Sequence, residues 1–245
     1  MKLLLVSVFL FVELSLAGYA QPVNGPVVYF NENFQSEIDY RPIRYYGIPQ
    51  KIKRKLYVIT FYSLDSQKVA MGEFTSKRFR KRNGVFAVFN YEAKIILTTN
   101  YRKGLLHGSY QKFHNNGKLS DSGRLKFGFP IGTWKSWYSN GQLKEIRNHE
   151  LGRGFRGMQF SVLTKEFRSY YPDGNADDSG YYQNNLKDGI WVEWEENGRV
   201  RSIGEYKNGW KKGMWKYYDT NGKLLYLRRF RSLKYDKVGE RIDLK

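Results

Sequence analysis

The run Tyr206-Lys207-Asn208-Gly209-Trp210-Lys211-Lys212-Gly213-Met214-Trp215-Lys216-Tyr217-Tyr218-Asp219-Thr220-Asn221-Gly222-Lys223-Leu224 decides how the chain folds. Its Gly213, Trp215, Tyr218 and Asn221-Gly222 stand at offsets that recur upstream. The same turn signal appears as Asn116-Gly117, Asn140-Gly141, Asp173-Gly174 and Asn197-Gly198, and the successive glycines are 24, 33, 24 and 24 residues apart. A fixed period of this length marks a repeat protein. Each unit is one supersecondary element that buries its apolar face only by stacking on its neighbours.

The turn dipeptides sit between segments rich in Tyr, Trp, Phe, Val and Leu, and Asn-Gly supplies the positive φ angles of a two-residue hairpin turn. The unit therefore reads as a β-hairpin. Seven residues before each turn glycine stand Tyr110, Trp134, Phe167, Trp191 and Trp215; four before stand Phe113, Trp137, Tyr170, Trp194 and Tyr218. Nine before stand Gly108, Gly132, Gly189 and Gly213, with Lys165 as the exception, and a glycine there is read as reversing the chain ahead of the next strand. Upstream, Ala93 keeps the register with Gly84, Phe86 and Phe89, and a further hairpin centres on Ser66-Gln67. No interval carries apolar residues at helical spacing. The expected fold is all-β: an elongated array of about 24-residue antiparallel β-hairpins forming a single twisted sheet.

Residues 1–20 carry Lys2, an apolar run from Leu3 to Val12 and the small-residue close Gly18-Tyr19-Ala20, the pattern of a signal peptide cleaved after Ala20. That run is too short for a bilayer, which takes about 20 residues. The expected organisation is a signal peptide at 1–20, an N-terminal extension at 21–55, hairpin repeats at 56–230 with an insertion near 149–163, and a basic tail at 231–245. The expected destination is the periplasm or the exterior of a bacterium. In the insertion, Gly152, Gly154 and Gly157 satisfy G-x-G-x-x-G, but without a βαβ context the reading is a basic loop carrying Arg153 and Arg156.

The chain has no cysteine, which excludes disulfides, a thiol nucleophile and a Cys-ligated metal. The formal charge of +19 points to an acidic partner. For an exported chain that is an acidic protein or an anionic envelope surface, and the compartment disfavours nucleic acid. The densest basic run is Arg78, Arg80, Lys81 and Arg82.

The quoted unit resembles the bacterial variant of the MORN repeat, most strongly over Tyr101–Arg147 and Tyr181–Phe230. Phe30-Asn31-Glu32-Asn33-Phe34 followed by Tyr45-Tyr46 looks like the opening of exported MORN-variant proteins of Bacteroidetes. The resemblance implies a ribbon of antiparallel hairpins and, for some relatives, an antitoxin or immunity component paired with a toxin. It carries no catalytic motif over.

No catalytic, metal or cofactor site is expected. His107, His114 and His149 fall in different units with no paired acid or nucleophile, and Glu193, Glu195 and Glu196 read as a solvated acidic patch. Trp134 and Trp137, three apart, face opposite sides of an undistorted strand. The column of Tyr110, Trp134, Phe167, Trp191 and Trp215, with Gly117, Gly141, Gly174, Gly198 and Gly222, is assigned to structure. The column of Phe113, Trp137, Tyr170, Trp194 and Tyr218, with the basic residues, is the candidate partner surface. The expected function is a non-enzymatic exported scaffold, with an antitoxin role or a carbohydrate-directed one as alternatives.

Overall fold

In the computed structural model, residues 27–31, 33, 34, 43–231, 234, 235, 241 and 242 are described. The stretch 1–20 expected to be a signal peptide and most of the expected basic tail at 231–245 lie outside them. The protein is all-β, with antiparallel strands hydrogen-bonded in chain order. Two compact units divide it, Met1–Tyr110 and Gln111–Lys245.

The first unit holds β1 (Val28–Phe30), β2 (Tyr45–Lys53), β3 (Leu56–Ser63), β4 (Lys68–Phe74), β5 (Arg82–Phe89), β6 (Ile95–Arg102) and most of β7 (Leu105–Phe113). The second holds β8 (Leu119–Lys126), β9 (Phe129–Trp137), β10 (Leu143–Arg153), β11 (Gln159–Tyr170), β12 (Ala176–Gln183), β13 (Leu186–Trp194), β14 (Val200–Lys207), β15 (Trp210–Tyr218) and β16 (Leu224–Phe230). A separate two-stranded pair, β17 (Lys234–Tyr235) and β18 (Arg241–Ile242), follows.

The Asn-Gly turns differ from expectation. Only the glycine takes positive φ, as at Gly141 (95°) and Gly198 (79°). The Gly141 N–H donates to the Tyr138 carbonyl, and the Tyr138 N–H to that of Gln142. That is a type I turn closed by a left-handed residue and a bulge. The bulge is visible in the register: Trp194 faces Val200 while Glu193 faces Ser202, leaving Arg201 unmatched. The asparagine stays right-handed because its own Oδ1 accepts the N–H two residues on, as Asn197 does from Arg199. Ser66 and Ala93 occupy the same left-handed position upstream, with φ of 68° and 58°.

The two-residue turns with positive φ at both positions lie at the other strand ends, at Lys103-Gly104, Phe127-Gly128, Asn184-Asn185 and Asn208-Gly209. The chain reverses there rather than at Gly108, Gly132, Gly189 and Gly213, which lie inside strands. Gly213 (φ 67°) opens a second bulge: Glu205 faces Lys212 and Ile203 faces Lys216, so Gly213, Met214 and Trp215 stand opposite Gly204 alone. Lys165 adopts the same left-handed conformation (φ 64°) where the other units have glycine.

In the first unit Phe30, Ile59, Phe61, Ala70, Phe74, Phe79 and Phe86 form one core, and a smaller cluster contains Met71, Ala87 and Phe89. The segment before Leu56 belongs to this sheet: β2 pairs with β3 along its length, and Phe34 stacks on Tyr45 at 4.5 Å. In the second unit the buried apolar residues are Leu125, Trp134, Val162, Trp191 and Trp215. Rings relay between them, from Phe167 through Tyr182, Trp191, Tyr206 and Trp215 to Phe230, with centroids 5.1 to 6.2 Å apart.

The insertion is not an open loop. Its surplus residues lengthen β10 and β11 to 11 and 12 residues, paired down to Arg153 and Gln159. Gly152 lies against the Phe160 ring, and the Gly154 N–H bonds to the Met158 carbonyl. The three glycines thus shape a hairpin tip.

Candidate functional site

The second unit is organised around indoles laid on glycines. A Cβ on Gly123, Gly180 or Gly204 would come within 2.2 to 2.3 Å of the ring of Trp134, Trp191 or Trp215. Each indole Nε1 donates to the carbonyl just after that glycine: Trp134 to Arg124, Trp191 to Tyr181, Trp215 to Glu205. Lys187 and Lys211 cover Trp191 and Trp215 from above, with Nζ at 3.7 and 3.8 Å from the ring centroid. Sequence reading missed these glycines, although each stands eleven residues before its tryptophan.

Polar ladders tie one turn to the next. The amide of Asn116 donates to the Ser139 carbonyl, that of Asn140 to Pro172 and that of Asn197 to Thr220. Asp173 cannot donate, and Asn175 takes over, reaching the Glu196 carbonyl at 2.7 Å. A parallel ladder joins the His114 Nε2 to the Trp137 carbonyl, the Tyr138 hydroxyl to Tyr170, and the Tyr171 hydroxyl to Trp194.

Serines and carboxylates form pairs across the strands. Ser136 donates to Glu145, Ser169 to Asp177, and Ser202, fully buried, to Glu193 at 2.6 Å. Glu193 is therefore half-buried, not part of a solvated patch, and Arg201 lies 3.7 Å from it. Burial pushes the Asp178 carboxyl above its ordinary range, against the opposing pull of Lys187. Burial, with Glu193 and Asp178 nearby, raises the Tyr206 hydroxyl to about 12. Among the described residues no His, Cys, Asp and Glu cluster is placed to hold a metal ion.

The structural column divides. Trp134, Trp191 and Trp215 are buried, while Tyr110 and Phe167 are half-buried. The other column, Phe113, Trp137, Tyr170, Trp194 and Tyr218, is half-buried throughout, and Trp137, Trp194 and Tyr218 face Leu143, Val200 and Leu224 across their hairpins.

The basic run also divides. Arg82 is half-buried, with its guanidinium 4.9 Å from the Phe86 ring and 4.2 Å from that of Tyr101, and it donates to the Tyr101 hydroxyl and the Asn33 carbonyl. Arg78, Arg80 and Lys81 are exposed on the β4–β5 connection. The antiparallel meander puts that connection at the same strand ends as the β2–β3 turn with Arg54 and Lys55 and the β6–β7 turn with Lys103. Contact is direct: the Gly104 N–H donates to the Arg82 carbonyl, and the Lys103 N–H to the Asn83 side chain. Arg54, Lys55, Arg80, Lys81, Arg102 and Lys103 are exposed, and none forms an ion pair among the described residues. Glu92 and Lys94, which do pair, sit in the β5–β6 turn at the opposite strand ends. Arg153 and Arg156 are exposed at the hairpin tip of the second unit.

The fold and these surfaces define a β-hairpin repeat scaffold. Residues 130–150, 187–208 and 211–231 match the model of the MORN repeat variant. Each matched stretch includes a buried tryptophan, Trp134, Trp191 or Trp215, and the turn glycine seven residues on. A comparison with curated proteins finds no match. Among the described residues no helix is long and apolar enough to cross a membrane.

Proposed function

We propose that the chain is an exported, non-enzymatic scaffold that attaches to an anionic envelope surface through the basic rim of its first unit. The observation that supports this is the rim itself: Arg54, Lys55, Arg80, Lys81, Arg102 and Lys103 gathered at one set of strand ends without carboxylate partners among the described residues. Unpaired exposed cations on a rigid sheet edge raise the local concentration of a polyanion and steer its approach. Such attachment weakens with salt, since the Debye length falls from about 10 Å at 0.1 M to about 3 Å at 1 M. The site offers no acid and base aimed at a common point, so holding is the chemistry it supports.

The test is co-sedimentation of the mature protein with anionic and with neutral vesicles at low and high salt, beside pull-down from envelope extract. Salt-sensitive capture by anionic vesicles, lost in an Arg80→Gln, Lys81→Gln, Lys103→Gln variant, is the expected result. Salt-insensitive capture of one acidic protein moves the partner from the surface to that protein. Absence of binding at any salt removes the reading.

A further inference from the structure

The last strand of the second unit has an open side. Among the described residues β16 is hydrogen-bonded to β15 alone. Proteins normally blunt such an edge with charge, proline or brevity, because its unpaired N–H and C=O groups template another strand. Here the first four positions carry none of these devices: Leu224, Leu225, Tyr226 and Leu227 are 46, 58, 52 and 52 % exposed. Arg228 and Arg229, both exposed, complete the edge. Strand β15 beside it has Lys211, Lys212 and Lys216 and no acidic residue.

The order of these side chains specifies an occupant. Tyr226 and Arg228 share one face of the sheet and Leu227 and Arg229 the other, by alternation along the strand. Each face thus presents an apolar group followed by a cation. An antiparallel strand laid along this edge meets the cations first and the apolar pair second. We propose that β16 is a docking edge for an extended peptide segment of a partner protein, in which two acidic residues precede two apolar ones, added as a further antiparallel strand. Main-chain bonds supply the attachment and the two pairs of side chains the selection. Self-pairing is disfavoured by the like charge of the edge. This site is independent of the rim of the first unit.

The experiment is titration of the ¹⁵N-labelled protein with a blocked peptide holding Glu-Glu-Val-Val between threonines. Three controls accompany it: a lysine-for-glutamate version, a version N-methylated on alternate residues, and the Arg228→Glu, Arg229→Glu variant. Saturable shifts centred on the amides of Leu224 to Phe230 are expected, lost on N-methylation and weakened at least tenfold by the lysine peptide and by the variant. The proposal is overturned by absence of shifts at millimolar peptide, by binding that survives N-methylation, by protection from exchange in the peptide-free monomer of the outward-facing amides of β16, those not bonded to β15, or by dimerisation through the edge. Vesicle binding by the Arg228→Glu, Arg229→Glu variant stays unchanged, so failure here and failure of the rim reading are told apart.

Discussion

The indole of Trp215 lies so close over the Cα of Gly204 that a Cβ there would stand 2.3 Å from the ring. A single-layer sheet has no second layer to cover a tryptophan, yet Trp215 is fully buried. Burial comes from laying the ring down: Gly213 bulges the strand, Gly204 leaves the floor open, the Glu205 carbonyl takes the indole N–H, and Lys211 closes the top. Gly204→Ala and Gly180→Ala should therefore each destabilise by about 1–3 kcal/mol, the usual cost of overpacking. Chemical denaturation followed by tryptophan fluorescence measures it. A loss under about 0.5 kcal/mol, the scale of a neutral surface change, would mean the ring does not need that floor.

Lys165 gives the opposite case. It holds φ 64° where Gly132, Gly189 and Gly213 hold 66°, 73° and 67°. A non-glycine residue in this region is strained by about 1–2 kcal/mol, and its ion pair with Glu150 is exposed on both sides and contributes little. Lys165→Gly should raise the midpoint of thermal unfolding, and Ala93→Gly (φ 58°) should do so for the first unit. A fall in midpoint for either variant would contradict the strain assigned to its left-handed position.

Period, turn positions and aromatic columns were legible because each is a residue type repeated at a fixed offset. Turn identity was not: Asn140-Gly141 and Asn208-Gly209 read alike, and only the first closes through a bulge. What separates them is the Oδ1 of Asn140 accepting the Gln142 N–H, a contact that composition does not encode. The Gly204–Trp215 pair was available as a recurrent offset, but the offset means nothing until the bulge at Gly213 brings the two together. Division of Arg82 from Arg80 depends on Tyr101, nineteen residues away in the chain.

The turn-to-turn ladder predicts an asymmetry between amide and acid. Asn140 accepts from the Gln142 N–H and donates to the Pro172 carbonyl at 2.7 Å. Asn140→Asp keeps the first bond and replaces the second by a carboxylate facing a carbonyl. It should cost about 1 kcal/mol, the net worth of one such bond. Asp173→Asn should be near neutral, because Asn175 already makes the corresponding bond to Glu196. Equal losses for the two substitutions, measured by urea denaturation, would remove the ladder as a source of stability.

Asp178 makes stability depend on pH. Burial raises its carboxyl in the folded state; Asp177 and Glu193 push the same way, and Lys187 and Arg201 oppose. The folded chain then binds the proton more tightly than the unfolded one. Its contribution is fully present below the ordinary carboxylate value of about 3.9 and is lost as pH rises through the folded value. Asp178→Asn should therefore stabilise the protein at pH 7 relative to the parent, with the advantage shrinking as pH falls through the raised folded value and gone by about the ordinary carboxylate value of 3.9. Melting curves at a series of pH values show the trend; an advantage that grows on acidification would reverse the sign and refute the assignment.

The basic run from Arg78 to Arg82 should separate into two functions under mutation. Arg82 is held between Phe86 and Tyr101 and bonded to the Tyr101 hydroxyl and the Asn33 carbonyl, so it joins β5 and β6 to the segment before β2. Arg82→Ala should lower stability by about 1–3 kcal/mol through lost hydrogen bonds to a charged group, with cation–π stacking adding to that loss. Arg80 and Lys81 are exposed without ion pairs among the described residues, and Arg80→Gln, Lys81→Gln should leave the unfolding free energy within about 0.5 kcal/mol of the parent. The same double variant should bind anionic vesicles more weakly and with a shallower salt dependence, since two cations no longer contribute to attraction. Denaturation and vesicle sedimentation on both variants decide the matter. If the exposed pair proves to govern stability and Arg82 to govern binding, both the rim and its support have been misassigned.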